Sequence, residues 1–260
     1  MKIQNVIEEN AESVVKTVLG KAKSFHRRHG TDRAARSTFG YFTRHPVAPL
    51  NQRRLRMLAD SAQERSQSLG RPLRVLDLGC GGGVITCTIA ALGHQTLGLD
   101  LSRDEVRMAK LFATEETLSG KFLRADLLKD PDWEKQSEEV LGGKPDLVTL
   151  AYALHHLPEV ESVIERLSWW LGPDSLLLVN EENPRSPLFR LKHLVRTWIQ
   201  KDTETEWHRS FEGWKAILHE AGFAIASPPV GADMIPALDR LLPERCWSLV
   251  FTAQLNRAER

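Results

Sequence analysis

From Arg71 onward the chain alternates short runs rich in Val, Leu and Phe with segments whose apolar residues recur at helical spacing. That alternation restricts the fold more than any other feature. Strands separated by helices pair in parallel through crossovers, so the sheet they form is covered on both faces. The expected strands are "RVLDLG" (74–79), "QTLGLDL" (95–101), "KFLRADLL" (121–128), "DLVTLAY" (146–152), "SLLLVNE" (175–181), "FAIASPPV" (223–230) and "CWSLVFTAQ" (246–254). The last two lack a helical crossover, since their short connection carries two prolines, and they are expected to close the sheet as an antiparallel pair. Three helices between the strands have legible ends. Ser102 followed by Glu105 reads as a capping box. Val160, Val163, Ile164, Leu167 and Leu171 form one stripe, stopped by Gly172 and Pro173. Trp214, Ile217, Leu218 and Ala221 form another, begun at Ser210 and closed by Gly222.

Residues 1–70 have a different texture. Ile7, Ala11, Val14, Val15 and Val18 share a helical face, as do Leu55, Leu58, Ala59 and Ala62, so this part reads as an N-terminal helical cap on a domain spanning 71–260. The total charge is close to balanced, 35 Lys and Arg against 34 Asp and Glu. No global field therefore marks a nucleic-acid or membrane protein. The distribution is uneven, however: residues 21 to 56 hold ten Lys or Arg and a single acid, Asp32. That stretch reads as a solvated face, with a grip on phosphates as the other reading. Cys80, Cys87 and Cys246 are scattered without paired spacing, which speaks against a disulfide framework or a zinc site. No apolar run approaches the roughly 20 residues of a membrane helix, and the start "MKIQNVIEEN" is too acidic and broken for a signal peptide. The sequence thus reads as cytoplasmic.

The first strand ends in "DLGCGGG" (77–83). A strand that runs out into glycines and opens a helix brings backbone N–H groups and a helix N-terminus to one point, which makes a nucleotide site at the carboxyl ends of the strands. The dinucleotide fingerprint G-x-G-x-x-G fails here, because Val84 stands where the third glycine is needed. Asp77 would also repel a pyrophosphate. An acid beside the loop suits a ligand with positive charge instead.

With these residues in place, "VLDLGCGGG" resembles the first motif of class I S-adenosylmethionine-dependent methyltransferases, and the likeness runs over about residues 71 to 254. The resemblance implies an α/β fold: a Rossmann-like, mostly parallel seven-stranded sheet with an antiparallel last strand and helices on both faces. It also implies S-adenosyl-L-methionine as cofactor. Asp77, Gly79 and Gly81, with Cys80 as a small filler between the glycines, would line its methionine part. Asp100, 21 residues after Gly79, would accept from the ribose hydroxyls. Leu101 would flank the adenine, Asp126 would accept from its amino group, and Leu127 would supply a wall. The strand end at Ala151 would face the methyl group, with Tyr152 packing on the cofactor.

After that strand end, "ALHHLP" is similar to the small-molecule branch of the family, which includes ubiquinone, menaquinone and natural-product methyltransferases. The implied acceptor is a small organic molecule, with a hydroxyl oxygen as the leading acceptor atom and carbon as the other. A hydroxyl must lose its proton, and His155 or His156 is placed to take it, His155 first. Glu181 could orient that histidine or bind the acceptor. The tetrapeptide of base- and glutamine-methylating relatives is missing after the fourth strand, and no cluster of oxygen ligands for a metal stands out. Residues 185–210, with Phe189, Leu191, Leu194, Trp198 and Trp207 among Arg190, Lys192, His193 and Arg196, read as a lid insertion. Two other readings stand beside this one: an RNA methyltransferase that uses the basic arm, and a cofactor-binding member of the fold that does not transfer methyl groups.

Overall fold

The computed structural model describes residues 10–195, 207–232 and 245–256. Ile7, Arg196 and Trp198 lie outside the described residues, as do the side chains of Arg36, Lys192 and His193. In chain order the elements are α1 (Ala11–His29), α2 (Arg33–Thr43), α3 (Ala48–Leu69), β1 (Arg74–Leu78), α4 (Val84–Ala91), β2 (Gln95–Asp100), α5 (Arg103–Glu115), β3 (Lys121–Arg124), α6 (Trp133–Leu141) and β4 (Leu147–Ala151). After a 3₁₀ turn (Leu154–His156) follow α7 (Val160–Trp170), β5 (Leu176–Glu182), α8 (Pro187–Val195), α9 (Phe211–Glu220), β6 (Phe223–Ala232) and β7 (Ser248–Leu255).

The strands form one seven-stranded sheet in the order β3-β2-β1-β4-β5-β7-β6. β1 pairs in parallel with β2, and β2 with β3, while β7 runs antiparallel to both β5 and β6. This is the expected Rossmann-like sheet with its antiparallel closing pair. β6 lies at an edge, where Pro228 and Pro229 remove two donors and the register shifts between Ser227 and Val230. Both features blunt the edge against further pairing. Two expectations need correction. β3 stops at Arg124 instead of running to Leu128, because the Asp126 carboxylate takes the Leu128 and Lys129 amides and turns the chain. The capping box is only half made. Ser102 Oγ accepts the Glu105 amide, but the Ser102 amide goes to Asp100 and the Glu105 carboxylate to the Thr38 hydroxyl of α2.

The chain divides into two compact units, 1–149 and 150–260, with the boundary inside β4. In the first unit the helix "VITCTIAA" of α4 is apolar all round, and every residue from Val84 to Ala90 is buried. A helix without a polar face must be covered on all sides. α4 packs on β1 and β2 and is covered in turn by α1 and α3. The N-terminal helices are therefore an outer layer of this unit's core. Phe25 of α1, Phe39 of α2 and Phe112 of α5 meet there with centroids 4.8 to 5.3 Å apart, and all three are fully buried. Part of the basic stretch is used internally: Arg28 bridges Glu115 and Glu116 at the end of α5, His29 meets Glu115, and Arg56 meets Glu12. In the second unit, Trp214 and Leu218 of α9 are buried together with Leu177, Leu178 and Val179 of β5 and Phe251 of β7.

His94, at the turn between α4 and β2, is buried, and its Nδ1 lies 3.5 Å from the Leu73 amide that donates toward it. Burial disfavours the charged ring and brings its pKa down to about 4. Its folded pKa lies below that of an exposed imidazole, roughly 6.5. Its contribution to stability is therefore full above about pH 6.5 and is lost as the pH falls toward 4. The melting temperature of the wild-type protein is expected to drop over that interval relative to a His94→Leu variant, measured by a paired series of thermal melts from pH 7.5 to 4.

Candidate active site

The loop after β1 is built around a buried anion. Asp77 is 1% exposed, and each of its carboxylate oxygens accepts one hydroxyl: Oδ2 from Thr86 of α4 and Oδ1 from Thr149 of β4, both at 2.6 Å. Burial is the main force on this group and pushes its pKa up to about 6, against the two threonine hydrogen bonds, with Asp100 adding repulsion. At neutral pH the group is still largely ionised, so a negative charge sits under the glycines. Such a charge repels phosphate and favours a cation.

Above it, Gly79, Gly81 and Gly83 all have positive φ, at 72°, 50° and 80°. Two of them show why glycine is required. Gly81 in this conformation donates its amide to Asp100 Oδ2 at 2.8 Å. At Gly83, the N-cap of α4, a Cβ would lie 2.6 Å from the Phe122 ring. The fit extends to β2, where a Cβ on Gly98 would lie 2.7 Å from Cys80 Sγ. Cys80 fills that notch, and burial raises its thiol well above the usual range, which leaves it an inert filler. Thr38 and Phe39 of α2 close on the same loop, within 3.4 Å of where side chains on Gly81 and Gly82 would begin.

Asp100 takes the Ser102 amide on Oδ1 and the Gly81 amide on Oδ2. A carboxylate has about four lone-pair sites, so it keeps capacity for the two hydroxyls of a sugar. The Ala125 amide donates to the Asp100 carbonyl, which brings the β3 tip beside it. Asp126 there holds the following turn through Oδ1, Leu127 is buried, and Leu101 is 56% exposed. The structure thus brings Asp77, Gly79, Cys80, Gly81, Asp100, Leu101, Asp126 and Leu127 to neighbouring strand tips of the first unit. The residues present fit a nucleoside with a cationic tail.

The second unit holds His155 and His156. Tyr152, directly after Ala151, has φ 58°, a left-handed conformation that is a true outlier for a bulky residue. Its amide is anchored on the Asn180 carbonyl, and the chain turns there out of β4 into the 3₁₀ turn. Glu181, 2% exposed at the end of β5, caps that turn: Oε1 accepts the Ala153 and Leu154 amides at 3.1 and 2.9 Å. Its Oε2 lies 2.6 Å from His155 Nδ1. His155 is buried and His156 exposed, their rings 4.1 Å apart. Glu181 is thus hydrogen-bonded both to the turn and to the histidine the turn carries. Sequence reasoning missed Thr86, Thr149 and His208. Two threonines in the otherwise apolar "VITCTIAA" were the available sign for Thr86; nothing local marks Thr149 or His208.

The sheet order, the antiparallel β7 and a glycine loop after β1 backed by an acid at the tip of β2 define the architecture of class I methyltransferases. A sequence model described as a methyltransferase domain matches residues 50–227. The chain belongs to this methyltransferase domain family, of the S-adenosylmethionine-dependent class. Among curated relatives it is similar to the ubiquinone biosynthesis O-methyltransferase of Bordetella avium, 30% identical over 56% of each chain. The same-named protein of Marinobacter nauticus is 29% identical over 63% of this chain and 66% of its own. The chain thus spans a little over half the length of the first of these relatives. Among solved structures, magnesium protoporphyrin IX methyltransferase from Synechocystis PCC 6803 shares the fold with a TM-score of 0.62 at 20% identity, covering 90% of this chain and 98% of that one. A methyltransferase from Mesorhizobium loti does so with 0.54 at 22%, covering 76% and 99%. No described helix is long and apolar enough to cross a membrane.

Because the folded-state pKa of Asp77 is raised, its contribution favours the fold below about pH 4 and is lost as the pH rises through about 6. An Asp77→Asn variant without ligand is expected to gain in melting temperature relative to wild type as the pH rises from 4 to about 6 and to hold that difference from there to pH 8, read from paired thermal melts. The same variant is expected to bind S-adenosylhomocysteine more weakly by calorimetry.

Proposed function

We propose that this domain transfers the methyl group of S-adenosylmethionine to a hydroxyl oxygen of a small organic acceptor, with His155 as general base. The observation that carries the reading is the buried His155–Glu181 pair at the carboxyl ends of β4 and β5. With its Nδ1–H donated to Glu181, the imidazole keeps Nε2 as its basic nitrogen, the tautomer a proton acceptor needs. His156, more exposed, assists at the rim. Bound at the strand tips, S-adenosylmethionine supplies a methyl carbon already activated by its sulfonium. Asp77, Gly79 and Gly81 hold its methionine part around Cys80, while Asp100 holds its ribose. Leu101, Asp126 and Leu127 frame its adenine, and Ala151 borders the reacting carbon. What remains for the chain is to align the acceptor oxygen, take its proton and keep water out. Similarity to ubiquinone biosynthesis O-methyltransferases over 56% of the chain supports a hydroxyl acceptor. In this reading residues 1–70 are a cap segment and residues 185–210 a lid insertion.

The test is incubation of purified protein with labelled S-adenosylmethionine and a panel of phenols, catechols, quinols and hydroxy acids, with products identified by mass. Methylation of oxygen in at least one acceptor is expected. His155→Gln is expected to lower turnover about 10²-fold or more with cofactor affinity unchanged, as loss of a general base implies. Transfer to RNA alone, or an undiminished His155→Gln enzyme, defeats the proposal.

A further inference from the structure

We infer that His208 is a positioning residue that covers the His155–Glu181 pair and keeps water off its hydrogen bond; its catalytic meaning rests on the proposed role of His155 as base. His208 lies just before α9, and its side chain is 7% exposed. Its ring stacks on that of His155 with centroids 4.8 Å apart and planes at 23°. On the segment's backbone, the Trp207 amide donates to the His155 carbonyl at 2.8 Å. The 3₁₀ turn is thus gripped by residues 207 and 208 through both main chain and ring.

His208 is in turn held from behind. Phe189 of α8 meets it edge to face at 4.7 Å. Glu182 Oε2 stands 4.0 Å from His208 Nε2, an ion-pair separation longer than a hydrogen bond. The other oxygen of Glu182 accepts the indole N–H of Trp247 at 3.0 Å. Two adjacent acids at the end of β5 thereby serve two imidazoles: Glu181 bonds the one that faces the proposed chemistry, and Glu182 sits beside the one that covers it.

The physical consequence concerns the 2.6 Å bond between His155 and Glu181. A charge-assisted hydrogen bond is strong while it stays in a low-dielectric setting, and water competes for both partners. A flat ring over the imidazole excludes that water and prevents the ring from rotating off the carboxylate. Flatness and area are what this role requires, so another aromatic ring should replace His208 and a non-aromatic polar side chain of similar length should not.

The Nδ1 proton of His155 reports this directly, with no acceptor or cofactor present. In the full chain labelled with ¹⁵N-histidine, that proton is assigned by its loss in His155→Gln, and its exchange with solvent is measured in wild type, His208→Phe and His208→Gln. Exchange within about twofold of wild type is expected for His208→Phe, and about tenfold or faster for His208→Gln, the mark of local opening. Equal exchange in all three overturns the inference, and so does equally accelerated exchange in both variants. Failure of the base assignment shows differently. Full methyl transfer by His155→Gln rejects His155 as base, whatever the exchange rates.

Discussion

A carboxylate held almost wholly away from water at the end of a central strand is the constraint on which the first unit is arranged. Asp77 can remain there because Thr86 and Thr149 each give it a hydroxyl, and both threonines are themselves fully buried. A buried charge without such partners would neutralise or destabilise the fold. The position of α4 follows, since Thr86 must point back at β1, and so does the tight glycine turn that joins them. The anion remains partly uncompensated, as its raised pKa records. A positive charge beside the loop would relieve that residual cost.

Around this loop the chain uses small residues where others could not fit. Cys80 occupies the notch left by Gly98, and Phe122 occupies the space a side chain on Gly83 would need. Thr38 and Phe39 of α2 reach the loop from the outer layer, and Thr38 also donates to Glu105. The N-terminal helices are thereby part of the loop's packing as well as the cover of α4. Substitutions in α2 would be felt at the cofactor loop through these contacts.

The second unit follows a different logic. Its buried histidine is held by one acid that does two tasks, capping the 3₁₀ turn with Oε1 and bonding His155 with Oε2. A turn and an imidazole held by one side chain are mechanically coupled, so changing Glu181 would disturb both. The left-handed Tyr152 starts this turn, which places backbone strain next to the proposed chemistry, as often happens at functional sites. The family match accounts for the fold and the cofactor class, whereas the proposed acceptor chemistry rests on this local arrangement.

Apolar spacing placed the strands and the N-terminal helices, because it reports which face of an element is buried, while the short, proline-bearing connection marked the antiparallel closing pair. The motif "DLGCGGG" likewise announced its loop, since a run of glycines after a strand has few other uses. β3 was overextended because Asp126 bonds amides only two and three residues ahead, a local turn that competes with the strand. The capping box was half right because Thr38, 67 residues before Glu105, took the carboxylate that the motif assigns to the helix end. Thr149 lies 72 residues from Asp77, and His208 some 53 from His155, so neither pairing leaves a trace in local spacing. What the amino-acid order determined was which residues end the strands, because short-range sterics and burial act within a few positions. Which side chains satisfy those residues was decided by the tertiary fold, because hydrogen bonds and ring contacts depend on distance in space and not along the chain.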